Sequence, residues 1–141
     1  MKRLATLSTG EIIEGPKPYR SLEKKLRRLQ QSFARKQKGS KNREKQKRKI
    51  SRLHYRISCI RSDALHKLTT ILVRTFSIIV IEDLNASGML SNRKLAKVIS
   101  DMGFHEFRRQ LDYKAQIAGA HLIIADRWFP SSKRCSACGQ I

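Results

Sequence analysis

At 141 residues with 40% hydrophobic side chains, the chain is long enough for one domain with a real core, which excludes a disordered tail. With 31 Lys and Arg against 11 Asp and Glu it carries +20, a self-repelling balance that calls for a polyanionic partner, nucleic acid ahead of an anionic membrane surface. No apolar run approaches the ~20 residues of a membrane span, and Lys2 and Arg3 lead into too short an apolar segment for a signal peptide, so no membrane partner and a cytoplasmic location are expected.

Arg3 to Leu7 and Glu11 to Glu14 flank Ser8-Thr9-Gly10, a short connection whose Gly can take positive φ, which predicts a β-hairpin. Gly15, Pro16 and Pro18 stop the second strand, since proline cannot donate to a sheet ladder. From Tyr19, Leu22, Leu26, Leu29 and Phe33 recur at helical spacing as one narrow apolar stripe, on a helix expected to end near Gln37, before Gly39-Ser40. A second helix is predicted from about 42 to 75, with Ile50, Leu53, Ile57, Ile60, Ala64, Leu68 and Ile71 as its seam against the first. It outreaches its partner, so its last turns are free to pack on a sheet.

Residues 17 to 61 hold 18 basic and 2 acidic residues, which places +16 of the +20 on this helical hairpin. A solvated helix face normally mixes signs through Glu-Lys pairs, and this one does not. The basic residues on the flank away from the Leu22, Leu26, Leu29 and Phe33 seam, Arg27, Arg28, Lys45, Lys49, Arg52 and Arg56, are therefore the candidate nucleic-acid contacts. His54 and Tyr55 are placed either to stack on a base or to cover a helix flank. Cys59 reads as a small core residue.

Ile78-Ile79-Val80-Ile81 is an unbroken β-branched run that reads as a strand buried on both faces, and it ends in Glu82-Asp83-Leu84-Asn85. Successive side chains point to opposite faces, so Glu82 and Asp83 cannot both enter one site. One is the candidate ligand and the other structural, with a carboxylate capping the next turn as the competing reading. Ala86-Ser87-Gly88 predicts a turn, and Leu95, Val98, Ile99 and Met102 a short helix. Phe104, Phe107, Leu111, Ala115 and Ala118 mark another helix, ended by Gly119, before a strand over 120–125. The alternation makes the body α/β. Cys135-Ser136-Ala137-Cys138-Gly139 has the shape of a zinc knuckle, but zinc takes four ligands, and His121 is the one nearby donor besides these two thiols.

Val80-Ile81-Glu82-Asp83-Leu84-Asn85 with Gly88-Met89, then Phe107 with Leu111-Asp112-Tyr113-Lys114-Ala115, and Pro130-Ser131-Ser132-Lys133 before Cys135-x-x-Cys138-Gly139, resemble the TnpB family, also called OrfB. These proteins of bacterial insertion sequences, long labelled transposases, are RNA-guided DNA nucleases related to type V CRISPR effectors. The resemblance implies a partial RNase H-like (RuvC) fold over 1–126, with the basic helical hairpin of about 19–75 inserted in it. An incomplete zinc ribbon would follow over 127–141. It implies that Glu82 is the family's second catalytic carboxylate, a magnesium ligand, and that Cys135 and Cys138 are the first half of the zinc site.

The family's first Asp would fall just before Met1, and its second cysteine pair and third carboxylate would follow Ile141. Asp126 matches no catalytic position. Cleavage by two metal ions needs several carboxylates, so the chain is expected to bind DNA and RNA, with guide RNA the RNA partner in the intact family, but not to cut alone. It is read as an internal fragment from a truncated or interrupted gene. The alternatives are one half of a split nuclease, completed by a complementing fragment, and a stand-alone basic RNA- or DNA-binding protein. A homodimer pooling Cys135 and Cys138 would complete a four-thiolate zinc site.

Overall fold

In the computed structural model, residues 3–128 are described. β1 (Arg3–Thr6) and β2 (Ile12–Glu14) pair antiparallel as expected. Their turn closes through the Gly10 N–H donating to Leu7 O at 2.9 Å, with Gly10 at φ +86°, where a side chain would strain the backbone. Pro18 opens α1 (Pro18–Ala34), in the first turn, where its missing N–H needs no partner. α1 stops at Ala34, short of the expected Gln37, as Lys36 N–H turns back to Phe33 O. Gly39, at φ +80°, lies in the reversal, and Ser40 caps α2 (Lys41–Thr75) by accepting the Arg43 N–H at 3.2 Å.

At 35 residues against 17, α2 runs about 50 Å and α1 about 26 Å. The excess length takes α2 from one core into another. Its first half packs Leu53 and Ile57 against Leu26 of α1, with Tyr19, Leu22, Leu29 and Ile50 around them. Its last turns bring Leu72 and Val73 against Ile79, Leu111 and Ala115. The predicted seam therefore holds only in part. Ile60 and Ile71 are 39% and 61% exposed, and Leu65, Thr69, Leu72 and Val73 are buried instead. A strict 3.5-residue repeat drifts about 20° per heptad around a straight helix, and α2 changes partner midway. Cys59 stands exposed on the outer side, not in the core as expected.

β3 (Ile78–Glu82) is followed by α3 (Ala86–Leu90), α4 (Ala96–Met102), α5 (Phe104–Ala118) and β4 (His121–Ala125). β3 and β4 are parallel and in register from Ile78↔His121 to Glu82↔Ala125, a pairing that requires the intervening helices as a crossover. Gly119, at φ +73°, ends α5 with its N–H on Ala115 O, as the glycine's position predicts. The expected turn at 86–88 is the start of the short α3.

β3 is buried on one face, not both. Ile79 is 8% exposed and packs on the core, whereas Ile78 and Val80 are 59% and 60% exposed. Residues paired in a parallel ladder share a face, which puts the half-exposed Ile123 beside Val80. An unbroken β-branched run cannot show this, because α2 and α5 cover only the Ile79 side. The described strands form two two-stranded sheets, β1-β2 and β3-β4, in a mixed α/β fold. Among the described residues no helix is long and apolar enough to cross a membrane. Cys135 and Cys138 lie outside the described residues.

Candidate nucleic-acid interface and carboxylate cleft

The hairpin is fixed by few polar contacts, each between residues distant in sequence. Gln46, buried in the seam, donates from Nε2 to Leu29 O at 3.1 Å, tying α2 to α1. Arg43 closes the open end. Its Nη1 donates to Lys36 O at 2.8 Å, and its guanidinium lies 4.1 Å from the centre of the Phe33 ring. At the other end α1 lacks a cap of its own, since Lys17 makes no side-chain capping bond and the first turn has no acidic residue. Asp101 of α4, 2% exposed, supplies it by accepting the Tyr19 and Arg20 N–H groups at 3.1 and 3.2 Å. The same carboxylate accepts Arg61 Nη2 of α2 at 3.3 Å. One side chain thus pins both arms of the hairpin to the body.

Arg27, Arg28, Lys45, Lys49, Arg52 and Arg56 are all exposed. The last four, spaced four, three and four apart, form one stripe on α2 beside the Gln46, Ile50, Leu53 and Ile57 seam. Among the described residues none of the six makes an ion pair. Of the cations over residues 17–61, among the described residues only Lys17 and Arg61 do, with Glu14 and Asp101. Glu23, one of the hairpin's two acids, is taken up by Lys97 of α4 at 2.6 Å. That hydrogen bond holds the Glu23 carboxyl below its usual range and the Lys97 ammonium above its own. The surface consequently keeps its positive charge. Tyr55 is 74% exposed and presents its ring among cations, and a hydrogen bond with Cys59 pushes its phenol up.

The carboxyl ends of parallel β3 and β4 put a second set of charges together, as such ends do in α/β sheets. Glu82 lines a cleft of about 870 Å³ between β1 and β3, with Arg3, His105, Arg108 and Arg127 on its walls. Asp83 has a different role. Its Oδ1 accepts Arg108 Nη1 and its Oδ2 accepts Arg127 Nη2, both at 2.8 Å, while Arg127 Nε donates to the Asp83 carbonyl at 3.1 Å. Asp83 does not line the cleft itself, although both of its arginine partners do. Asn85 caps the next turn by accepting the Gly88 N–H at 3.0 Å. Asp126 accepts the Trp128 N–H.

Among the described residues Glu82 is the one carboxylate on the cleft wall, which also carries Arg3, Arg108 and Arg127. Among the described residues no three His, Cys, Asp or Glu side chains converge on a point. Periodicity missed Asp101, Arg108 and Arg127, whose partners lie far along the chain. The available signal for Arg127 was its place just past the end of a parallel strand.

Residues 1–93 match the family model OrfB_IS605, described as a probable transposase, and residues 104–141 match the model of a Cas12f1-like TNB domain. A "Putative RNA-guided DNA endonuclease" of Streptomyces pristinaespiralis is 49% identical over 138 residues, covering 98% of this chain and 34% of the relative. The "Putative RNA-guided DNA endonuclease InsQ" of Escherichia coli K12 is 40% identical over 152 residues, covering 97% and 38%. A TnpB-like protein of Acanthamoeba polyphaga mimivirus, L79, is 27% identical over 109 residues, covering 73% and 21%. The chain spans about a third of the length of the first two relatives.

Proposed function

Because the chain belongs to the TnpB/OrfB family of transposases, we propose that these residues form the nucleic-acid-gripping part of an RNA-guided DNA endonuclease, with DNA and RNA as partners. The observation that carries this is the charge of the helical hairpin, +16 over residues 17–61 with 14 of its 18 cations exposed. Such a surface tracks phosphates with little regard to base sequence and releases condensed counterions on binding. Arg27, Arg28, Lys45, Lys49, Arg52 and Arg56 are the contacts.

Glu82 contributes one carboxylate to a magnesium site of RuvC type, and Cys135 and Cys138 contribute two thiolates to a zinc ribbon. Two more zinc ligands would come from a second copy or a complementing segment. These residues alone bind without cutting, since no step of phosphodiester cleavage can be assigned to a single Glu.

The test is binding of single-stranded and duplex oligonucleotides across a salt series, with circular dichroism as folding control. Reversing Lys45, Lys49, Arg52 and Arg56 to Glu should flatten the duplex salt slope by at least about 3.6, at ~0.9 per phosphate contact. An unchanged slope in the folded variant would move the binding surface off the hairpin. No binding by the parent would remove the nucleic-acid role, and magnesium-dependent cutting lost in Glu82→Gln would overturn the binding-only reading.

A further inference from the structure

Arg108 on α5 and Arg127 after β4 are far apart in sequence, yet both bind opposite oxygens of the Asp83 carboxylate, at 2.8 Å each. One carboxylate cannot neutralise two guanidiniums, so the cluster keeps a charge of +1. Both arginines line the cleft that holds Glu82, and their side chains remain 47% and 44% exposed. Donors remain available. Among the described residues Arg108 bonds only through Nη1, and Arg127 only through Nε and Nη2. A guanidinium presents five N–H groups in a flat fork suited to phosphate oxygens, and anchoring one edge leaves the other pre-oriented. Arg3 adds a third cation to the same cleft.

We infer that Arg108 and Arg127 form a phosphate clamp that seats the backbone of a nucleic-acid strand in the Glu82 cleft, with Asp83 as the positioning residue that holds both forks. The inference rests on the nucleic-acid reading above and adds a second, separate binding point to it. It also gives Asp83 a use that a bare tie between α5 and the end of β4 would not need. A surface ion pair between two elements contributes under about 1 kcal/mol, and a single arginine suffices for it.

The chain carries its own reporter. Trp128 is the only tryptophan, follows Arg127 directly and is 85% exposed. A short oligothymidylate bound in the cleft should change Trp128 fluorescence, while binding on the hairpin is followed by anisotropy of a labelled oligonucleotide. The salt slope of the Trp128 signal should fall by about 0.7 in Arg108→Gln and in Arg127→Gln, the single-strand increment per phosphate contact, and by about 1.4 in the double variant. Asp83→Asn breaks both ion pairs but keeps both cations, so it should weaken the Trp128-detected binding, as the forks lose their anchor, while keeping the parent slope.

A parent slope in the folded double variant would overturn the clamp. So would a slope lost equally in Asp83→Asn, which would mark the cluster as a structural tie. Anisotropy-detected binding with a silent Trp128 overturns the clamp and leaves the hairpin reading standing. Absence of binding by both signals overturns the underlying reading as well.

Discussion

Replacing Asp101 with Ala removes three bonds at once: the caps on the Tyr19 and Arg20 N–H groups and the ion pair with Arg61. Loss of a helix cap costs about 1 kcal/mol. Breaking a buried ion pair costs about 3 to 5 kcal/mol, but the Arg61 side chain is 25% exposed and water recovers much of that. A total near 3 kcal/mol is expected. At about 2.1 cal/mol/K of unfolding entropy per residue, over 141 residues, the melting temperature should fall by about 10 °C. Circular dichroism measures the melt, and amide hydrogen exchange locates it, with Tyr19 and Arg20 losing protection first. In an Arg61→Gln background the cost of Asp101→Ala should shrink toward the cap alone, about 1 kcal/mol. A drop under about 3 °C, or unchanged exchange at Tyr19 and Arg20, would refute the cap supplied from α4.

Hydrogen bonds from Arg109 and then Gln110 hold the Glu106 carboxyl down to about 2 from 4.5. Its contribution is therefore present above about pH 4.5 and lost as pH falls through about 2, so the gap in melting temperature between the parent and Glu106→Gln should close across that window; a constant gap would refute it. Leu26→Ala opens a cavity in the hairpin core, where Leu26 is 2% exposed, and should cost about 2 to 5 kcal/mol. Exchange should then rise along α1 and the first half of α2 before it rises in α5, and a uniform rise would mean the two cores unfold as one. Gly119→Ala should cost only about 1 to 2 kcal/mol, from its positive φ alone, because a Cβ there meets nothing within 4 Å. A loss in urea titration above about 3 kcal/mol would contradict that open space.

Elements governed by local pattern were legible from the chain. Gly10 marks the β-hairpin turn, Pro16 and Pro18 the end of the second strand, Gly39 the reversal between α1 and α2 and Gly119 the end of α5, and each is a residue whose own backbone chemistry fixes the outcome. What periodicity could not supply was the identity of the partner. The α2 stripe was placed correctly through Leu53 and Ile57 and then misplaced at Ile60 and Ile71, because the helix exchanges α1 for α5. The buried polar residues were invisible for the same reason. Thr69 and Gln110, both fully buried, satisfy each other at 3.1 Å across α2 and α5, and nothing in either local sequence announces the other. At the cleft, alternation of side chains separated Glu82 from Asp83, but the arginines that give Asp83 its role come from residues 25 and 44 positions away.

The continuity of α2 makes it a ruler with a phase. No Gly or Pro interrupts Lys41–Thr75, so there is no hinge between the basic stripe and the strand that carries Glu82. Each residue along it advances the stripe by 1.5 Å and turns it by about 100°. One residue inserted between the two cores would swing the cations about a quarter-turn away from their bearing on the cleft. Seven inserted residues would restore that bearing to within about 20° while carrying the stripe about 10.5 Å further out. Length and angular setting are thus coupled in this helix, and the distance from grip to carboxylate can change at nearly constant bearing in steps of about two turns.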